Sequence, residues 1–162
     1  MKHLWAPWRR EYILREPGEK GCFLCEAAGA PEAQWERHLT LLRGQHVVAV
    51  LNRYPYNTGH FMVAPARHLA QPEELTAQEV AEMWQVLCRL KERLSRTSRP
   101  DGFNVGINLG DSAGAGLPGH IHVHVVPRWV GDTNFLAVLG ETKVMPESLE
   151  SVYRKLTEGG ES

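Results

Sequence analysis

Short apolar and polar runs alternate through the first half of the chain and give way to helical spacing in the middle. His38–Leu42 and His46–Asn52 read as two strands joined by the hairpin connection Arg43-Gly44-Gln45, and His60–Ala64 as a third, ended by Pro65. The turn-rich stretch Arg53-Tyr54-Pro55-Tyr56-Asn57-Thr58-Gly59 separates the last two, so this half predicts an antiparallel meander. Thr76-Ala77-Gln78-Glu79 has the form of a capping box, and Val80, Met83, Trp84, Leu87, Leu90 and Leu94 then recur on one helical face. This is the long helix, with Trp84 and Cys88 expected in the core. Gly102–Leu109 and Gly119–Pro127 read as two further strands around a Gly/Ala-rich loop, and Pro146 opens a shorter helix with Leu149, Val152, Tyr153 and Leu156 on one side. The pattern predicts an α+β fold on a mainly antiparallel sheet.

The length of 162 residues fits one domain, with residues 1–20 as an N-terminal arm and 136–162 as a C-terminal extension. Lys+Arg at 18 against Asp+Glu at 19 leaves a net charge of -1, so neither nucleic acid nor an anionic membrane is an expected partner. No apolar run approaches the roughly 20 residues that span a bilayer, and Met1–Arg10 lacks the apolar core of a secretory signal. A cytoplasmic location is the expectation. Three cysteines make no disulfide framework, and the spacing of Cys22 and Cys25 reads as metal or redox chemistry, or as a buried reduced pair.

Chemistry concentrates in Gly119-His120-Ile121-His122-Val123-His124-Val125-Val126-Pro127-Arg128. Strand alternation would put His120, His122 and His124 on one face, successive imidazoles roughly 7 Å apart, with Ile121, Val123 and Val125 on the other. A neutral imidazole is a nucleophile near pH 7, and a neighbouring one can donate to phosphate oxygens. The loop before the motif, with glycines at 110, 114, 116 and 119, lets backbone N–H groups approach an anion, although it matches neither the Walker nor the dinucleotide fingerprint. A His-x-His metal site and a plain surface strand are the competing readings.

His120-Ile121-His122-Val123-His124-Val125-Val126 satisfies H-φ-H-φ-H-φ-φ, with φ apolar, and so resembles the signature of the histidine triad (HIT) family. The likeness extends through Asn52–His60, Pro65-Ala66-Arg67-His68 and Gly102–Gly110, and covers roughly Cys22 to Phe135. It implies a HIT-like fold: a five-stranded, mainly antiparallel sheet with one long helix and one short C-terminal helix. It implies His122 as the nucleophile, His124 as the group that contacts phosphate oxygens and assists the leaving group, Asn52 at the ribose, and Asn108 near the phosphates. His60 belongs near the active site, and Gly114 and Gly116 to the phosphate loop; Ala115-Gly116-Leu117-Pro118-Gly119 lacks the hydroxyl or amide usual there.

Zinc-bearing members of the family bind the metal at positions that match Cys22, Cys25, His68 and His120, so the resemblance implies a closed structural Zn2+ site with no role in the chemistry. The segments Trp5–Ile13 and Trp129–Phe135 are similar to a bacterial branch associated with diadenosine tetraphosphate phosphorylases. Cleavage of dinucleoside polyphosphates through a phosphohistidine is then the expected reaction, with phosphate or water as acceptor. Phosphorylases often carry glutamine at the third motif position, whereas His124 is more typical of hydrolases. The alternatives are hydrolysis of nucleoside phosphoramidates or aminoacyl-adenylates, and an adenine-nucleotide-binding module without turnover. The family commonly forms homodimers through its long helix and a strand edge. Trp5 and Trp8 fit a subunit boundary or the nucleotide, and Arg128 a phosphate contact or a surface cap.

Overall fold

The computed structural model describes residues 21–132 and 145–158; the arm with Trp5 and Trp8, and within the C-terminal extension residues 136–144 and 159–162, lie outside them. Five strands, β1 (Thr40–Arg43), β2 (Val47–Leu51), β3 (Phe61–Pro65), β4 (Gly102–Ile107) and β5 (Val123–Arg128), form one antiparallel sheet in the order β1-β2-β3-β5-β4. Helices α1 (Phe23–Gly29), α2 (Trp35–His38), α3 (Ala77–Ser98) and α4 (Leu149–Glu158) cover it. The α+β expectation holds, and none of the described helices is long and apolar enough to cross a membrane.

Register divides the sheet into two faces. Val47, Ala49, Leu51, Phe61, Val63 and Val125 point to one side, where Met83, Val86, Leu87, Leu90 and Leu94 of α3 and Val152, Tyr153 and Leu156 of α4 close the larger core. Val48, Val50, Met62 and Ala64 point to the other side and pack on Leu24 and Ala27 of α1. Because both faces of β2 and β3 are covered, these strands are buried at every position, and their sequences run apolar without alternation.

The position of α3 is fixed by two carboxylates. Thr76 caps the helix in the predicted box, its hydroxyl accepting from the Glu79 N–H while the Glu79 carboxylate accepts from the Thr76 N–H at 2.9 Å. That carboxylate, buried at 2% exposure, also takes a bidentate pair from Arg67, with N···O distances of 2.7 and 2.9 Å. One turn on, Glu82 accepts from the N–H groups of Gln45 and His46 and so clamps the β1–β2 hairpin. Gly44 stands there because a Cβ would strike the Glu82 carboxylate. Gly59, at φ +81°, leads into β3 with Leu94 and Pro127 close by, so both its backbone conformation and its surroundings select glycine.

Four expectations shift. The last strand begins at Val123, not Gly119, so His120 and His122 lie on the approach to the ladder. The first strand starts at Thr40, since His38 ends α2 and Leu39 adopts φ 56°. Trp84 is 61% exposed, and Val80 and Cys88 are exposed too, because the stripe through them lies beside the sheet core and not against it. The shorter helix begins at Leu149, three residues beyond Pro146.

The Glu79 clamp gives a testable pH dependence. Hydrogen bonding from Arg67, then from Thr76, holds the Glu79 carboxyl down to about 2, against an ordinary 4.5. A depressed carboxyl contributes stability that is present above its unfolded value and lost as pH falls through its folded value. Glu79→Gln should lower the unfolding free energy at pH 7 by about 1–3 kcal/mol. Urea titrations should show the gap to the unaltered protein closing between about pH 4.5 and 2; a gap that persists at pH 2 would show that charge is not its cause.

Candidate active site and metal cluster

Parity along the strands assembles the site. Asn52 continues the α1-side face of β2, His60 that of β3, and His124 that of β5, where it pairs with Met62. Asn108 continues the same face of β4, one residue beyond the Ile107–Val123 pair. Four sequence-predicted residues, Asn52, His60, His122 and His124, meet at this end of the sheet.

Their hydrogen bonds determine which nitrogens carry hydrogen. The Tyr56 N–H donates to His60 Nδ1 at 3.1 Å, leaving the His60 hydrogen on Nε2. That nitrogen lies 2.9 Å from His124 Nδ1, which therefore accepts, and the His124 hydrogen is on Nε2. The Nε2 of His124 is buried without a partner. His122 donates from Nδ1 to the His120 carbonyl at 2.7 Å, leaving its Nε2 a bare lone pair. The His122 and His124 rings meet edge to face with centroids 4.7 Å apart, closer than an ideal strand would hold them. Asn52 accepts from the Tyr54 N–H, which turns its amide nitrogen toward the His60 ring.

The imidazoles are neutral at pH 7. Burial, then the charges of His124 and His122, pushes His60 down to about 3. Burial, then His122, pushes His124 down to about 4. His122 is also lowered, by burial, against the opposing effect of its bond to His120. A neutral nucleophile and a neutral N–H donor side by side suit attack on phosphorus with a hydrogen bond to the departing oxygen.

His120 departs from the other two motif histidines. Fully buried, it donates from Nε2 to the Pro65 carbonyl at 2.9 Å and turns Nδ1 toward Cys22 Sγ at 3.0 Å and Cys25 Sγ at 3.5 Å. His68 Nδ1 lies 3.3 Å from Cys25 Sγ, and the ligand atoms of Cys22, Cys25, His68 and His120 all fall within 4.8 Å of one another. Tetrahedral Zn–S and Zn–N bonds would separate sulfur from nitrogen by about 3.5 Å. The donor set fits such an ion. Burial, then the neighbouring Cys22 and Glu26, pushes the Cys25 thiol up to about 11, the direction a bound cation reverses. The cluster can hold a metal ion, and the four ligands expected from the sequence are those brought together.

Gly114 and Gly116 lie on the loop between β4 and β5, exposed; among the described residues no hydrogen bond joins them or Asn108 to the imidazoles. Arg128 is engaged elsewhere: its guanidinium pairs with Asp132 and Asn104, and Asp132 in turn accepts from Asn57. Tyr56 was missed by the sequence reading. Its ring stacks on His60, but it lies in an aperiodic turn where no spacing points to it.

The HIT domain family model matches residues 37–130. The AP-4-A phosphorylase of Mycobacterium tuberculosis (strain H37Rv) is 42% identical over 161 residues, covering 96% of this chain and 83% of its own. The asymmetrical bis(5'-nucleosyl)-tetraphosphatase of Schizosaccharomyces pombe is 30% identical over 84 residues, 52% of this chain and 46% of that protein. Among solved structures, a Zn-bound histidine triad family protein from Mycobacterium smegmatis superposes with a TM-score of 0.65 at 27% identity, covering 85% of this chain and 91% of that one.

Proposed function

The chain belongs to the HIT domain family, and on that premise we propose that it cleaves dinucleoside polyphosphates at the α-phosphorus through a phosphohistidine on His122. One observation carries the reading: the ring of His122, with its bare Nε2, meets edge to face the ring of His124, with its partnerless Nε2–H, each nitrogen's state set by the bond on the far side of its ring. Nε2 of His122 forms the N–P bond while the bond from phosphorus to the bridging oxygen breaks. That oxygen leaves on the departing nucleotide with the bonding electron pair, its growing charge stabilised by a hydrogen bond from the His124 Nε2–H. Asn52 holds the ribose, and Asn108 with the Gly114 and Gly116 loop lies along the phosphates. An acceptor then takes the nucleotidyl group from His122. The relative of 42% identity over nearly the whole chain favours phosphate as that acceptor. With diadenosine tetraphosphate, phosphorolysis yields ATP and ADP, whereas hydrolysis yields ATP and AMP.

Chromatography of reactions with and without phosphate checks this directly. Phosphate-dependent ADP is the expected result, and AMP in phosphate-free buffer would make water the acceptor. His122→Ala should lower turnover by about three orders of magnitude or more with nucleotide binding largely kept; an active variant would exclude the mechanism.

The metal of the cluster is, in this reading, zinc, bound by Cys22, Cys25, His68 and His120. When bound it supplies a cross-link and no reaction step, since four protein ligands leave no open position. Elemental analysis should find one equivalent per chain, and Cys22→Ser with Cys25→Ser should lower Tm more than activity per folded molecule. Protein purified without chelator and free of zinc would remove the site.

An uncovered face supports a homodimer in this reading. β4 is an edge strand, and Val105 and Ile107 share the α3 side of the sheet with Val125, yet remain 46% and 43% exposed. The Val80–Trp84 stripe runs along the same border, as the contact of Lys91 with the Phe103 ring indicates. Helix and strand edge together form one apolar surface that a two-fold partner would cover. Light scattering at low micromolar concentration should give twice the 18.2 kDa chain mass, and Val105→Asp should halve it. A monomeric unaltered protein would overturn the proposal.

A further inference from the structure

We propose that Tyr56 is a positioning residue for this reaction: its ring roofs the His60–His124 pair against water and keeps the His124 hydrogen on the nitrogen that faces the leaving group. The inference rests on the reading above for the reaction, and on geometry for the placement. Tyr56 is 48% exposed, whereas His60 beside it is fully buried. The two rings stack with centroids 4.8 Å apart at 25°, and the Tyr56 ring lies tilted 5.8 Å from that of His124. The Tyr56 main chain acts on the same imidazole, its N–H fixing His60 Nδ1 as an acceptor. One residue therefore sets the hydrogen position by its backbone and guards it with its side chain.

The guard matters because the arrangement is one of two. A water able to reach the pair offers another acceptor for the His60 Nε2–H and for His124, and so frees the His124 hydrogen to move to Nδ1, while the Tyr56 N–H still holds His60 Nδ1 as an acceptor. His124 would then present a bare Nε2 to the departing oxygen and could not donate a hydrogen bond to it. The groups that face His60 are His124 and His122 from the β5 side, Asn52 from the end of β2, and Tyr56 from its own turn. Burial is the largest cause of the depressed His60 value, so removing the roof should raise it toward the ordinary 6.5. Stacking needs a flat ring and no hydroxyl, so phenylalanine should serve as well as tyrosine.

The test compares Tyr56→Ala, Tyr56→Leu and Tyr56→Phe by steady-state cleavage of diadenosine tetraphosphate and by 15N imidazole NMR of the free proteins. In the unaltered protein His60 and His124 should each hold one neutral form, hydrogen on Nε2, from about pH 5 to 8. Tyr56→Ala and Tyr56→Leu should bring mixed hydrogen placement or titration into that range, with kcat down about tenfold and KM within about threefold. Tyr56→Phe should stay within about twofold of the parent in both and keep its spectrum. Unchanged spectra and kcat in Tyr56→Ala and Tyr56→Leu, or equal losses in Tyr56→Phe, would overturn the role. If the unaltered protein cleaves no dinucleoside polyphosphate, the reaction reading fails separately, and the spectra still decide whether the ring holds the pair.

Discussion

A buried histidine has to satisfy two ring nitrogens and a carbonyl without help from water. His120 meets that demand with a different part of the molecule for each: Nε2 on the Pro65 carbonyl, Nδ1 among the thiols of Cys22 and Cys25, and its own carbonyl on His122. The Cys/His cluster and the imidazoles of the candidate site are thereby joined through one residue. Whatever moves the His120 side chain also moves the acceptor that holds the His122 hydrogen on Nδ1.

The two faces of the sheet carry different tasks, and the pleat keeps them apart. Large apolar side chains on one face make the core with α3 and α4. The other face gives its middle to α1 and its end to Asn52, His60 and His124. Asn52 and His60 stand at the two ends of the connection between β2 and β3, closed by the Asn52 N–H donating to the His60 carbonyl, while His124 lies within β5. The exposed apolar border of β4 and α3 belongs to the core face, away from the imidazoles.

Much of this was legible in the sequence. The strands, the capping box and the motif each carry a local signal, and the two groups of ligands and imidazoles separate as the family resemblance implies. The errors share a cause. Periodicity reports that a residue suits a face, but not whether anything covers that face. Val80, Trp84 and Cys88 follow helical spacing but lie off the core, where β4 is too narrow a border to cover them. Alternation was extended back to Gly119, although the ladder starts at Val123, because a motif of alternating residues looks the same inside a strand and on the approach to it. Helix α1 gave no signal: it is seven residues long, and no side chain caps its start. Contacts made by backbone atoms, such as the Tyr56 N–H and the Pro65 carbonyl, leave no trace in residue types at all.

The grip of Glu79 and Glu82 on two separate loops has a mechanical consequence. A helix held at one point can still turn about its axis or advance by a residue; held at two points one turn apart, by the β1–β2 hairpin and by the segment that follows β3, it can do neither without breaking both sets of bonds. α3 is keyed into the domain like a bolt. The bearing of Trp84 is consequently set within the single chain, so any surface that came to meet it would encounter a finished relief and need no folding step to read it.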